Sequence, residues 1–298
     1  KDEALVFQCK RALENALQQH TGDVLVFLPG RREINALEAA LASLCSPTLS
    51  VLPLHGDLPV EQQSRALQPA PEGTRRVVLA SNVAESSVTL PGVRVVIDSG
   101  LAREPRFEPN SGFSRLDTVA ISQASADQRA GRAGRVSAGC CYRLWPASQR
   151  LEPMRRAEIQ HSELSALALE MAAWGGTTLP FVDNPPTGPL QAGRDLLISL
   201  GALESSLRIT ALGKRMLALG THPRLAAMLL ASQDETEQAL ACDLAALIEA
   251  RDPLLGYRGN DWQSRWQALA DFRSGKTVSG ASVSALKQLD ASASQWRR

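Results

Sequence analysis

Residues 24–30 read Val-Leu-Val-Phe-Leu-Pro-Gly. Five consecutive apolar residues suit one buried strand, and Pro29-Gly30 ends it. Ile34, Leu37, Leu41 and Leu44 then recur at helical spacing. The alternation continues outward. Short apolar runs at 51–54, 77–80 and 93–97 are bounded by polar or glycine residues, a polar helix is expected over 60–67, and a further strand over 140–145 follows a helix-like stretch at 126–135. This spacing predicts βαβ units, hence an α/β domain whose mainly parallel sheet carries helices on both faces. Ligands of such sheets lie beyond the carboxyl ends of the strands. The loops after Leu28, Leu54, Ala80 and Ile97 are therefore the ones to watch, together with the stretch at 126–135.

Beyond residue 150 the strand signal fades. Leu164, Leu167, Met171 and Trp174 mark a helix stopped by Gly175-Gly176, a proline-rich loop follows, and a second helix carrying Leu190, Leu196, Leu197 and Leu200 stops at Gly201. Residues 203–210 could form a small β ribbon, and Leu212, Met216 and Leu219 open another helix. Helix, helix, ribbon is a winged-helix pattern. From Pro223 the chain is helical, with Leu240, Leu244, Leu247 and Ile248 on one face. We therefore expect an α/β domain over 1–150, a winged helix over 151–222 and a helical bundle over 223–298.

Composition narrows the function. A chain of 298 residues is long enough for two or three domains. Its longest apolar runs are far short of the ~20 residues that span a bilayer, so no membrane partner is expected. Five scattered cysteines form no CxxC pair, which suits a reducing, cytoplasmic setting and argues against structural zinc. The four histidines have no Cys or His neighbour at metal-ligand spacing, so no metal site is expected; only His55 sits on the ligand side of a strand. The net charge of +1 says nothing about a nucleic-acid partner. Local charge does: seven arginines (129, 132, 135, 143, 150, 155 and 156) face one acid, Glu152.

An ordinary basic run is a solvated face. Here Gln128-Arg129-Ala130-Gly131-Arg132-Ala133-Gly134-Arg135 spaces arginines at i, i+3 and i+6, so that on a helix they lie along one side, with Gly and Ala between them letting a facing surface approach. A helix with two glycines is poorly stable without an external reason. Guanidinium is a permanently charged planar fork that matches phosphate oxygens.

This string resembles motif VI of the DEAH-box branch of superfamily 2 helicases. The resemblance covers essentially the whole chain. Residues 24–30 resemble the strand and loop of motif IV, and 54–59 (Leu-His-Gly-Asp-Leu-Pro) the next strand end. Residues 81–90 (Ser-Asn-Val-Ala-Glu-Ser-Ser-Val-Thr-Leu) are similar to motif V, 96–100 continue it, and 103–121 resemble the family's β-hairpin. Residues 169–175 and 222–226 look most like the bacterial HrpB type. The resemblance implies a second RecA-like domain followed by a winged helix and a helical bundle. It implies Arg132 and Arg135 as arginine fingers reaching ATP, Gln128 placing the attacking water or the γ-phosphate, and Ser87 and Thr89 at the nucleotide edge. Ser81, Asn82 and the backbone at Gly30 would hold the phosphates of single-stranded RNA. Ser81 stands where Thr is usual and keeps the hydroxyl; Pro91 replaces an Asp that helps hold nucleotide in many members.

A phosphate-cradling GxxxxGK[ST] loop after a strand and a DEAH strand end holding Mg²⁺ are needed for hydrolysis. Residues 270–277 (A-x-x-x-x-G-K-T) imitate the first, but Trp262, Trp266 and Leu269 before them are at helical spacing; those two tryptophans read as core. Asp2-Glu3-Ala4-Leu5 imitates the second without its histidine. The chain thus reads as cut at both ends, holding half of an ATP and Mg²⁺ site whose other half is an N-terminal RecA-like domain of the same polypeptide. The rival readings are a nucleic-acid-binding module without catalysis and a pure interaction domain.

Overall fold

The structure, a computed structural model, describes residues 2–86, 88–108, 113–135, 137–176, 179–255 and 259–297. They fall into two compact units, Lys1–Ser162 and Glu163–Arg298. The first holds a five-stranded, wholly parallel sheet built from β1 (Asp23–Phe27), β2 (Leu49–Leu54), β3 (Arg75–Ala80), β4 (Val93–Asp98) and a last strand, Cys140–Arg143. Its order is β2, β3, β1, β4 and then the last strand. The antiparallel hairpin of β5 (Leu101–Glu108) and β6 (Phe113–Ala120) stands outside the sheet, and Cys140–Arg143 is β7 in chain order.

β1 lies at the centre, and all five of its residues are buried. Successive side chains point to opposite faces of a strand. Val24 and Val26 therefore join Leu28 in packing on α1 (Asp2–Gln19) through Cys9, Leu13 and Ala16, and on α2 (Arg31–Leu41) through Ile34, Leu37 and Leu41. Leu25 and Phe27 face the other way, onto Ala66 of α3 (Val60–Leu67) and Ala84 of the short α4 (Val83–Ser86). The parallel sheet covered on both sides agrees with the alternation of the sequence. Residues 2–19, which have no turn signal, form a helix that closes one face.

At the start of the sheet the buried Asp23 accepts from the Arg76 backbone amide (2.8 Å) and from its Nε (2.8 Å), while the same guanidinium donates to the carbonyls of Ala66, Gln68 and Pro91. One cation thus ties β1, β3, the end of α3 and the residue before Gly92. Pro91 spends its carbonyl on this clasp. At the other end, Gly100 adopts φ 72° and a Cβ there would lie 2.6 Å from the Trp145 ring. Only glycine fits this turn, which carries the chain from β4 into the hairpin.

The second unit is helical: α6 (Ser165–Ala173), α7 (Thr187–Ser199), α8 (Ala211–Ala218), α9 (Pro223–Ala231), α10 (Glu235–Glu249), α11 (Trp262–Arg273) and α12 (Val283–Trp296), after α5 (Gln123–Ala130) of the first unit. The ribbon expected over 203–210 is a single antiparallel bridge, Leu203 to Ile209. Two expectations fail. α10 buries small residues, Ala241, Cys242, Ala245 and Ala246, beside Leu247, and turns Leu240 outward, because close approach to its neighbours favours short side chains. Trp262 and Trp266 are 48% and 37% exposed rather than core, Trp266 donating its indole N–H to Asp243 at 3.2 Å.

The start of α6 is held to that of α9. Glu163 accepts from the Ser165 amide (2.9 Å), the Ser165 hydroxyl (2.7 Å) and His222 Nε2 (3.2 Å), while His222 Nδ1 accepts from the Arg224 amide, which leaves the ring proton on Nε2. Burial pushes the Glu163 carboxyl up, but these donors together outweigh it and hold the group below its ordinary value. A depressed carboxylate adds stability above its unfolded value, and that increment is lost as pH falls through the folded value. In acid titration of the chain followed by circular dichroism, Glu163→Ala should cost about 1–3 kcal/mol near neutrality, the scale for buried donors left without an acceptor, and the difference from the parent should shrink below the carboxylate range.

Candidate functional site

The helix expected over 126–135 stops early. α5 is capped by the Ser122 hydroxyl accepting from the Ser125 amide (3.1 Å) and ends at Ala130; beyond it, Arg132, Ala133 and Gly134 donate to carbonyls three residues back. Side chains three apart line up in such tight turns, so arginines spaced by three keep one side even though the α-helix has ended. They descend in burial along it. Arg129 is fully buried, Arg132 is 8% exposed, and Arg135 lies at the surface.

Arg129 explains the arrangement. Its Nε pairs with Glu85 Oε2 (2.9 Å), its Nη1 with Asp98 Oδ1 (2.9 Å) and the Leu101 carbonyl (3.2 Å), and its Cζ lies over the Phe27 ring, 4.7 Å from the ring centre. Phe27, Glu85 and Asp98 come from β1, α4 and the end of β4. Burial raises the Asp98 pKa against the pull of Arg129. Arg132 reaches the next stretch of backbone, donating Nη1 to the Val88 carbonyl (2.6 Å) and Nη2 to the Glu85 carbonyl. Burial, and then the Arg135 charge, lower its pKa. Arg135 donates to the Thr89 hydroxyl at 2.9 Å.

Gln128, Gly131, Arg132 and Arg135 line one face of an open cavity of ≈ 370 Å³, with Glu85 and Ser86 opposite. The Glu85 carboxylate is already matched by Arg129, so the cavity presents two guanidinium groups and an exposed amide. That donor set fits a phosphate tail. Thr89 adjoins it through Arg135; Ser87 lies outside the described residues.

Ser81 and Asn82 occupy the carboxyl end of β3, where the Ser81 amide donates to the Leu54 carbonyl and the Asn82 carbonyl accepts from Glu85. Asn82 is exposed and Ser81 half-buried. Gly30, at the end of β1, is buried: Arg103 of β5 crosses it so closely that a Cβ would sit 2.9 Å from its Nε, and Arg103 pairs with Glu33 at 3.3 Å. Gly30 and the Ser81–Asn82 edge share one end of the sheet, but the first lies under a side chain and the second is open. His55 is a buried turn residue whose Nδ1 accepts from the Asp57 amide (3.2 Å). Spacing gave no sign of Glu85, Asp98 or Phe27 as the seat of Arg129, since 44 and 31 residues separate the ion pairs.

Neither imitation, of the phosphate loop or of the DEAH strand end, has the right setting. Residues 270–277 begin inside α11, with Lys276 paired to Asp271 at 3.0 Å, and Asp2 to Leu5 begin α1.

Residues 8–137 match the helicase conserved C-terminal domain. The ATP-dependent RNA helicase HrpB of Escherichia coli (strain K12) is 41% identical over 272 residues, 87% of this chain and 33% of that protein. The chain is similar to part of an HrpB-type helicase. Two crystal structures match this chain over 98% of its length at 38% identity: the E. coli DExH-box NTPase HrpB (TM-score 0.76, 37% of that chain) and the Escherichia coli DEAH/RHA helicase HrpB (TM-score 0.78, 38% of that chain). The chain spans about a third of the length of these relatives. The match includes the second unit, and among the described residues no helix is long and apolar enough to cross a membrane.

Burial separates the three arginines by experiment. Arg129→Ala removes one partner from a buried ion cluster and should cost about 3–5 kcal/mol, whereas Arg135→Ala should stay within about 0.5 kcal/mol of the parent, as exposed substitutions do. Thermal denaturation of the two variants measures the difference.

Proposed function

We propose that this chain supplies the second motor domain of an ATP-dependent RNA helicase. Gln128, Arg132 and Arg135 would face ATP held by an N-terminal RecA-like domain of the same polypeptide, which would also carry the Mg²⁺ ligands. Ser87 and Thr89 would border the nucleotide. Ser81 and Asn82 would hold single-stranded RNA by its phosphates, the backbone at Gly30 joining them once Arg103 swings aside. Residues 151–222 would act as a winged helix and 223–298 as a helical bundle, in a protein working in the cytoplasm.

The observation that carries this reading is the gradient of burial. A cluster built only for stability would bury all three arginines or solvate all three. Here Arg129 is locked, and what it locks is the turn that delivers two further forks to an open cavity. When bound, Mg²⁺ and ATP would supply the transferable phosphoryl group and offset its charge. The part of this chain is to place guanidinium N–H groups where negative charge grows on the phosphoryl oxygens. Arg135 would exchange the Thr89 hydroxyl for a phosphate oxygen. Arg132, already held by two carbonyls, would need less reordering but offers fewer donors. Gln128 can donate and accept at once, which is what orienting a water requires.

In the full-length protein, Arg135→Ala and Arg135→Lys should both lower kcat for ATP hydrolysis by about 10³ to 10⁵ while leaving nucleotide affinity and melting temperature nearly unchanged, because Lys keeps the charge without the planar fork. Near-normal turnover in Arg135→Lys would refute the finger role. The 298-residue chain alone should show no ATP turnover; activity abolished by Lys276→Ala would instead restore 270–277 as a phosphate loop.

A further inference from the structure

Glu85 holds two arginines of the site with two different parts of itself. Its carboxylate accepts from Arg129 Nε (2.9 Å) and its carbonyl from Arg132 Nη2. Those arginines belong to one tight turn, in which the Arg132 amide donates to the Arg129 carbonyl (3.1 Å). The contacts therefore close a ring that runs from the Glu85 side chain through Arg129, the turn and Arg132 back to the Glu85 backbone. Val88, three residues on, supplies the second carbonyl of Arg132 at 2.6 Å.

The members of this ring are not equally secure. Arg129 is fixed without Glu85, by Asp98, the Leu101 carbonyl and the face of Phe27. α4 is a single turn, and its Ala84 and Glu85 amides donate to the Ser81 and Asn82 carbonyls, bonds that tie it back to the end of β3 and not across to α5. The Glu85 carboxylate makes that crossing. Dependence thus runs from the buried arginine to Glu85, and from Glu85 to the carbonyls that hold the Arg132 fork. Electrostatics gives no other reason for an acid here. Asp98 already answers the Arg129 charge from the buried side, so a neutral residue in place of Glu85, which is 17% exposed in the cavity wall, would serve an anion no worse. What a side chain of this length provides is reach: its Oε2 arrives at the Arg129 Nε, and the main chain at 85–88 is drawn to Arg132.

We propose that Glu85 is a positioning residue for ATP hydrolysis: by gripping Arg129 it fixes its own carbonyl and that of Val88, and these two carbonyls aim the Arg132 fork at the cavity. The proposal rests on the finger reading of Arg132 and deepens it. Glu85 itself touches neither nucleotide nor attacking water. Its reach, and not its charge, is what turnover depends on.

The test compares Glu85→Asp, Glu85→Gln and Glu85→Ala in the full-length protein. Asp keeps the charge one methylene short of Arg129, whereas Gln keeps the reach and an acceptor oxygen without the charge. Glu85→Asp should lower kcat for ATP hydrolysis about 10²-fold, the scale for a misplacement of about 1 Å, with KM within about threefold of the parent. Glu85→Gln should restore kcat to within about threefold. Glu85→Ala should resemble Glu85→Asp, and the two conservative variants carry the test if the Ala variant does not fold. In the 298-residue chain without nucleotide, hydrogen exchange at the Arg132, Ala133 and Gly134 amides should quicken about tenfold in Glu85→Asp and keep the parent's rate in Glu85→Gln. Added to Arg132→Ala, Glu85→Asp should slow turnover by no more than about threefold, since the two residues act as a unit. The proposal is overturned if Glu85→Asp matches the parent in turnover or in exchange, or if Glu85→Gln loses as much as Glu85→Asp. It is also overturned if the Glu85→Asp and Arg132→Ala losses multiply, the sign of a Glu85 that acts on nucleotide or water directly. Should Arg132→Ala and Arg135→Ala both keep near-parent kcat, the finger reading falls and this proposal with it; large losses in those two beside a normal Glu85→Asp overturn this proposal alone.

Discussion

A single guanidinium holds the working end of the sheet together. Arg129 has no contact with solvent, and its charge is met by Glu85 from the turn after β3, by Asp98 from the end of β4 and by the face of Phe27 from β1. Burying an arginine is costly, and it is tolerated only where paired charges and hydrogen bonds replace water. Each of those partners comes from a different segment. Arg129 therefore settles at once where α5 docks, where the α4 turn stands and where the chain leaves for the hairpin through Gly100, whose amide donates to the same Asp98 oxygen at 2.9 Å. Arg132 and Arg135 inherit their positions from it.

The sheet was readable because its strands are buried on both faces and so appear as unbroken apolar runs, and because Gly and Pro punctuate them. The strands at 23–27, 75–80 and 93–98 lie within one or two residues of those runs. α1 was not readable in the same way: its buried side, Cys9, Leu13 and Ala16, is a narrow stripe of modest residues in a polar sequence. α10 misled for a related reason. Leucines are the loud signal in a helical pattern, yet the tight contact was made by alanines and a cysteine, and the leucine at 240 was left outside.

For the cavity, the sequence singled out Gln128, Arg132 and Arg135, which line it, but not its geometry. The three-residue spacing of arginines pointed correctly to one side, but the α-helix ends at Ala130 and tighter turns carry the alignment. Nothing in the spacing distinguished the anchoring arginine from the two it serves, since that depends on partners many residues away. Gly30 shows the converse. The resemblance implied that its backbone meets RNA phosphates, whereas in the structure Arg103 lies across it.

The α4 turn has one consequence for mechanics. It is four residues long, its Glu85 carboxylate belongs to Arg129, its Glu85 carbonyl to Arg132, and Asn82 sits at its entry. A segment of one helical turn, about 5.4 Å, has no internal joint at which to absorb a displacement. A pull on either arginine would be passed to Asn82 as through a short stiff strut, and from there to the end of β3.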